Sequence, residues 1–291
     1  MGAPKWLVTG GGGQLGGALA QLAVRQRIDV WAPDRLQCDL ASENSIIAAV
    51  KSQRWDAVLN CAAYTAVDKA ESEPEQAEMI NTTAPAILAR ETELLGIPLI
   101  HVSTDYVFDG CKTTPYLEAD PVNPLGVYGR TKEAGEVAVR EGNPLHAIVR
   151  TAWLVSAGST NFLDTMLRLA QERSAVSVVN DQLGCPSNAE DVAFALFSVA
   201  RELGGRSGTW HFVNDGQASW YQLAAHIFSA TRMRGLPTPA LVPITSGDYP
   251  TRVRRPSNSR LVTDKIVADF GVVPRHWQTA IDDILAKRLN R

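Results

Sequence analysis

Seven residues near the N-terminus constrain this chain more than any others. Gly10-Gly-Gly-Gly13-Gln-Leu-Gly16 follows the apolar run Trp6-Leu-Val-Thr9. It opens a helical pattern from Gln14 to Arg27, with Leu15, Leu19, Leu22 and Ala23 at helical spacing. Glycines at 10, 13 and 16 allow a tight turn, a close backbone approach to a pyrophosphate and a helix lying close on the sheet. The helix N-terminal amides, with Gln14 and Leu15 in the same turn, then face the anion. A glycine run alone is also what a flexible loop looks like. The strand before it and the helix after it are the context that makes it a dinucleotide site.

The rest of the first half repeats the alternation. Asp29-Val-Trp-Ala32, Asp56-Ala-Val-Leu-Asn60, Leu99-Ile-His-Val-Ser103 and Ala147-Ile-Val-Arg150 read as strands. Ser42 reads as an N-cap before Ile46, Ile47 and Val50, and residues 75–95 and 131–140 read as helices. Strands joined by crossover helices form a parallel sheet covered on both faces, so the expected fold is α/β, a Rossmann-type doubly wound sheet. Ligands belong at the carboxyl ends of its strands. After residue 152 strands thin out, Pro, Gly and Ser gather between 235 and 259, and helical patterns recur at 218–232 and 276–289. We expect a dinucleotide domain over 1–152, rejoined by about 176–213 through strands at Val176–Val179 and Thr209–Val213. Residues 153–175 and 214–291 are expected to form a smaller, discontinuous C-terminal substrate lobe.

Composition narrows the function classes. The chain has 291 residues, 45% hydrophobic and 20% charged, and a net charge of −3, which offers no basic field for nucleic acid. Cys38, Cys61, Cys111 and Cys185 lie far apart without a CxxC pair, so no metal site or disulfide framework is expected. Residues 1–5, Met-Gly-Ala-Pro-Lys, run straight into the first strand without a signal-like apolar stretch. No apolar run approaches the roughly 20 residues of a membrane span. The expectation is a cytoplasmic protein with no membrane partner.

Further candidates sit at strand ends. Asp34 follows the second strand, where a carboxylate commonly binds the adenosine ribose; Arg35 beside it is suited instead to a 2′-phosphate. NAD and NADP therefore stay open. Asp39 and Leu40 read either as flanking the adenine or as an ordinary helix-entry turn. Ala62, Ala63 and Tyr64 follow the third strand, where small side chains leave room for a cofactor or simply pack tightly. Tyr128 and Lys132 are four apart on one helix and point to one side. A phenol is a usable acid, and a cation one turn away lowers its pKa. Thr104 ends a strand, where its hydroxyl can donate to a carbonyl oxygen gaining charge. Ser103 is the neighbouring candidate, but alternation sends the two to opposite faces.

Together these residues resemble the extended short-chain dehydrogenase/reductases. The resemblance rests on residues 8–16, 62–71 (AAYTAVDKAE), 103–110 (STDYVFDG), 128–136 (YGRTKEAGE), 150–153 (RTAW), 180–186 (NDQLGCP) and 254–261 (RRPSNSRL), in family order along nearly the whole chain. It implies reduction of the 4-keto group of a dTDP-linked 6-deoxy sugar by NADPH or NADH, with Thr104, Tyr128 and Lys132 as catalytic triad and Lys132 also on the nicotinamide ribose. Asp105 and Tyr106 would line the sugar pocket, Trp153 would pack against the sugar or the nicotinamide side of the site, and Asn161, Phe162, Gln182, Arg254 and Arg255 would face the nucleotide diphosphate. The family often has Ala-Asn where this chain has Gly11 and Gly12, which predicts a more flexible loop. The resemblance also allows a homodimer and a magnesium ion at its contact, although no carboxylate cluster in the sequence requires the metal. A related nucleotide-sugar epimerase or dehydratase, and a non-catalytic NADP-binding regulatory subunit, are the rival readings.

Overall fold

Strand alternation sorts the core of the computed structural model, which describes residues 3–289, into two layers. Met1 and Gly2, part of the stretch read for targeting, lie outside the described residues. The strands β1 (Lys5–Thr9), β2 (Asp29–Trp31), β3 (Ala57–Asn60), β4 (Leu99–Thr104) and β5 (His146–Thr151) and a sixth, Gly208–His211, form one parallel sheet. Their spatial order is β2-β1-β3-β4-β5, then Gly208–His211. Trp6, Val8, Leu59, Ile100 and Val149 join a core with helix α1 (Gln14–Arg25) and the helix Ala189–Glu202. The alternate residues Leu7, Val58, Leu99 and Ile148 join a second core with α2 (Glu43–Lys51) and the helix Ala84–Leu94. Both faces are thereby buried, as a parallel sheet requires. The chain leaves β1 for one side and returns on the other, so the order reverses beside the glycine turn, where ligands of such sheets bind.

Two elements depart from expectation. The segment read as one helix over 75–95 is broken into Pro74–Glu78, a π turn at Met79–Thr83 and Ala84–Leu94. Pro85 lacks the N–H that would continue the α ladder, and the preceding turn widens. The strand Ala175–Val179 does not rejoin the main sheet; it pairs with Ala240–Ile244. Its Val176 and Val178 are buried while Ser177 is exposed, the half-buried alternation of a peripheral pair rather than of a central parallel strand. Gly208–His211, by contrast, lies beside β5.

The lobe outside the sheet has its own core. Leu163 and Met166 from the helix Phe162–Glu172 meet Leu223, Ile227 and Phe228 from Trp220–Arg232, and Ile281 and Ile284 from Trp277–Leu289. Among the described residues, no helix is long and apolar enough to cross a membrane.

Candidate functional site

The glycine turn is shaped by what a side chain would strike. A Cβ at Gly10, where φ is 74°, would lie 2.9 Å from the Ala62 backbone, and one at Gly16 would lie 2.2 Å from Gly10 O. At Gly11 it would lie 2.2 Å from Ala32 O, whereas Gly12 faces open space. Gly11 therefore presses the turn against the chain leaving β2, whereas a side chain would fit at Gly12. Helix α1 follows its N-cap Gly13 with no side-chain cap and no acidic residue in its first turn. Helix α2 differs: Ser42 is its N-cap, as expected, accepting from Ser45 N at 3.3 Å. The first-turn amides of α1 thus lack the internal acceptor that α2 has, which fits a bound pyrophosphate.

The helix carrying Tyr128 and Lys132 runs from Val127 to Gly142, starting four residues earlier than the sequence pattern suggests. It has no cap from its own sequence. Instead Glu71 Oε1 accepts from Val127 N at 2.6 Å, an anion well placed against the helix dipole. A Cβ at Gly129 would lie 2.2 Å from Tyr106 O, so glycine lets this helix settle on the turn that follows β4. Tyr128 and Lys132 are consequently buried beside the end of that strand.

Thr104 ends β4, donating to Asp105 Oδ1 at 2.9 Å and accepting from Tyr106 N at 3.2 Å. Tyr106 meets the Tyr128 ring edge-on, 5.5 Å between centroids. Burial pushes the Tyr128 phenol well above its usual range, and the Thr104 hydroxyl pulls it back. Lys132 is not among the groups acting on it. Its Nζ donates instead to Val102 O at 2.7 Å and lies 3.3 Å from His101 Nε2. Burial brings the lysine down to about 8, against an opposing effect of Glu136. Desolvation is therefore the dominant influence on the Tyr128 phenol. Asp105, also buried, is pushed up to about 6, and its Oδ2 has no partner.

The lobe supplies the opposite wall. Trp153 sits at φ 46°, a left-handed conformation rare for a bulky residue, and stacks on Trp220 with centroids 3.6 Å apart. Phe162 packs on the far ring at 4.7 Å. Asn161 caps its helix through Leu163 N at 3.0 Å and also donates to Gln14 Oε1 at 3.2 Å. Ser156 Oγ donates to the same oxygen at 2.8 Å, tying the lobe to the glycine turn. Arg255 donates to Asp68 Oδ2 at 2.7 Å and to the Tyr106 hydroxyl at 3.3 Å.

A single cleft of about 720 Å³ collects most of the candidates. Gly10, Gly13, Gln14, Leu15, Ala62 and Ala63 line one end; Thr104, Asp105, Tyr106, Tyr128 and Lys132 line the middle; Trp153, Asn161, Phe162 and Arg255 line the lobe side. The others lie outside its lining. Gly16 packs the helix on the turn. Asp34 Oδ1 accepts from Leu36 N and Gln37 N, closing its own turn, and Arg35 pairs with Asp39 at 3.6 Å on the surface. Leu40 is a core residue. Tyr64 donates its hydroxyl to Glu73. Gln182 accepts from Trp220 Nε1 at 3.2 Å and so positions a wall residue without lining the cleft, and Arg254 is exposed. Sequence reasoning missed Trp220, Val67 and Ser159. Trp220 lay within an expected helix, but nothing local distinguishes it from a core aromatic. Ser103, the rival of Thr104, also borders the cleft, but its Oγ is buried without a partner. Among the described residues, no three His, Cys, Asp or Glu side chains gather to hold a metal ion.

The chain matches the family described as "RmlD substrate binding domain" over residues 4–290. It belongs to the RmlD family of dTDP-4-dehydrorhamnose reductases. A dTDP-4-dehydrorhamnose reductase of Sinorhizobium fredii is 41% identical, with 93% of each chain covered. That of Escherichia coli is 42% identical, covering 94% of this chain and 93% of its own. A solved dTDP-4-dehydrorhamnose reductase of Bacillus anthracis in complex with NADP superposes with a TM-score of 0.92 at 30% identity, covering 98% of this chain and 99% of its own. The RmlD family is thus an oxidoreductase family, and the cleft is where its chemistry would be housed.

Proposed function

We propose that the chain reduces the 4-keto group of dTDP-4-dehydro-6-deoxy-L-mannose to give dTDP-L-rhamnose, using NADPH or NADH. The observation that carries this reading is the meeting, in one cleft, of an uncapped glycine-turn helix with Thr104, Tyr128 and Lys132. The named relatives support the sugar, and the relative bound to NADP supports the cofactor class. Gly10, Gly13 and the α1 amides would hold the pyrophosphate. A bound reduced nicotinamide would supply the hydride.

Tyr128 donates its phenolic proton to the forming alkoxide, which a phenol held protonated by burial is suited to do. Thr104 donates a hydrogen bond to the same oxygen as charge develops there. Lys132 binds the nicotinamide ribose. Trp153, stacked on Trp220, offers a flat apolar face to the sugar. Arg255, held by Asp68 and the Tyr106 hydroxyl, lines the cleft and would offer its remaining N–H groups to the diphosphate. Residues 1–152 with Gly208–His211 serve the dinucleotide, the lobe serves the nucleotide sugar, and the protein works in the cytoplasm.

The test is nicotinamide oxidation with enzymatically generated dTDP-4-dehydro-6-deoxy-L-mannose, run in parallel with NADPH and NADH. Oxidation coupled to dTDP-L-rhamnose formation is expected. Cofactor binding without oxidation would reject this substrate in favour of another 4-keto sugar or a regulatory role.

A further inference from the structure

Behind the cleft, four buried polar side chains from four elements stand in single file. Thr9 Oγ donates to Asn60 Oδ1 at 2.6 Å. Asn60 Nδ2 lies 2.9 Å from His101 Nδ1, and His101 Nε2 lies 3.3 Å from Lys132 Nζ. Thr9 and Lys132 are almost fully buried, and Asn60 and His101 completely so. The file starts in the residue before Gly10 and ends on the lysine.

Its polarity follows from the first link. Because the Thr9 hydroxyl donates to the amide oxygen, the amide nitrogen faces the imidazole, and Nδ1 must accept. A neutral imidazole that accepts at Nδ1 carries its proton on Nε2. That N–H points at Lys132 Nζ, one of whose hydrogens goes to Val102 O. A neutral amine accepts such a bond through its lone pair, whereas an ammonium meets it donor to donor. Reversing the file would require Asn60 and Thr9 both to turn.

We propose that His101 is a positioning residue for Lys132: Asn60 and Thr9 hold it as the Nε2–H tautomer, and its donor loosens the proton of the lysine ammonium. The inference rests on the reading of Lys132 as part of the reaction site. The surroundings agree. Burial holds the imidazole neutral by pushing it well below its usual range, and the lysine sits at about 8. Cys61, after β3, is pushed up to about 12 and stays a thiol. Glu136, one turn further along the helix, favours the ammonium, but its carboxylate is shared with Arg150 of β5 at 2.7 Å and with Arg140. Tyr128, one turn earlier, stays a neutral phenol. His101 is thus the neighbour whose hydrogen-bond direction weighs against the charge. Both protonation states of Lys132 then become accessible near neutral pH.

Nitrogen-15 NMR of the full-length protein with labelled histidines reads the tautomer directly. The chain has five histidines. The His101 signals are assigned by their loss in His101→Gln or, if that variant does not fold, by through-bond assignment. The expected result is a bare Nδ1 and a protonated Nε2; a proton on Nδ1 overturns the proposal. The pH profile of kcat/KM supplies the second reading. An amide at 101 can turn its oxygen to the ammonium, so the alkaline limb of His101→Gln should move up by about one pH unit. A merely structural residue would lower the rate and leave the limb in place, and an unmoved limb in a folded variant also overturns the proposal. Lys132→Met separates the two ideas: full activity there would sink the role of the lysine and leave the tautomer result standing.

Discussion

The two walls of the cleft are built by different rules. The sheet wall is made of short motifs whose residues are neighbours in sequence: the glycine turn after β1, Thr104 ending β4 with Asp105 just after it, and Tyr128 and Lys132 one helical turn apart. The lobe wall is assembled from distant segments, with Trp153 on Trp220, Asn161 on Gln14, and Arg255 on Asp68. The sheet wall is positioned by backbone geometry, which a local pattern specifies. The lobe wall is positioned by side-chain packing between segments, which it does not. On this comparison, the sheet wall should carry chemistry and the lobe wall should carry recognition.

The largest expected effect lies on the sheet wall. Tyr128→Phe should lower turnover by about 10²–10⁴-fold while leaving dinucleotide affinity within roughly twofold, as loss of a general acid does. Stopped-flow rates and a fluorescence titration check it, and near-normal turnover would break the division between the walls. The same wall should also show the cost of a buried carboxyl. Asp105 is raised from 3.8 to about 6 in the folded protein. Below pH ~4 it is protonated whether folded or unfolded. Between that pH and about 6 it ionises only when unfolded, so stability falls as pH rises, then levels off. Asp105→Asn should therefore show no gain at pH ~4 and a gain on the order of 2–3 kcal/mol at neutral pH by denaturant unfolding. An equal gain at both pH values would contradict the assignment.

Smaller effects are expected on the lobe wall. Trp220→Ala removes the stack behind Trp153 and should raise the KM for the sugar nucleotide roughly three- to tenfold, with kcat and dinucleotide binding unchanged. A fall in kcat alone would move Trp153 from recognition to chemistry. Asn161→Ala removes both a helix cap and a bond to the glycine turn. It should cost about 1 kcal/mol of stability in thermal unfolding. A loss confined to dinucleotide affinity would show instead that the lobe acts mainly through Gln14.

Much of the sheet was legible because its signals are local. Apolar runs of strand length, a glycine turn and the Ser42 cap each depend on residues within one or two turns of chain. Local signals fall short where a residue also has a competing partner. Asp34 stands at the position of a ribose carboxylate, and its Oδ1 also accepts from the amides of Leu36 and Gln37. Val176–Val179 has the composition of a core strand, but its exposed Ser177 suits the pair with Ala240–Ile244. Arg254 and Arg255 are adjacent in sequence, and only packing against Asp68 and Tyr106 separates the one at the cleft from the exposed one.

By itself the sequence determined a parallel α/β sheet, a glycine turn at its switch point and a tyrosine–lysine pair on one helix face. Strand period, glycine sterics and the helical repeat act within a few residues, and no distant contact is needed to impose them. Only the tertiary structure decided that Glu71 caps the helix of Tyr128, that Trp220 backs Trp153, and that His101 lies between Asn60 and Lys132. Those contacts join residues far apart in the chain. Which partners meet depends on how whole elements pack, and no spacing in the sequence encodes that.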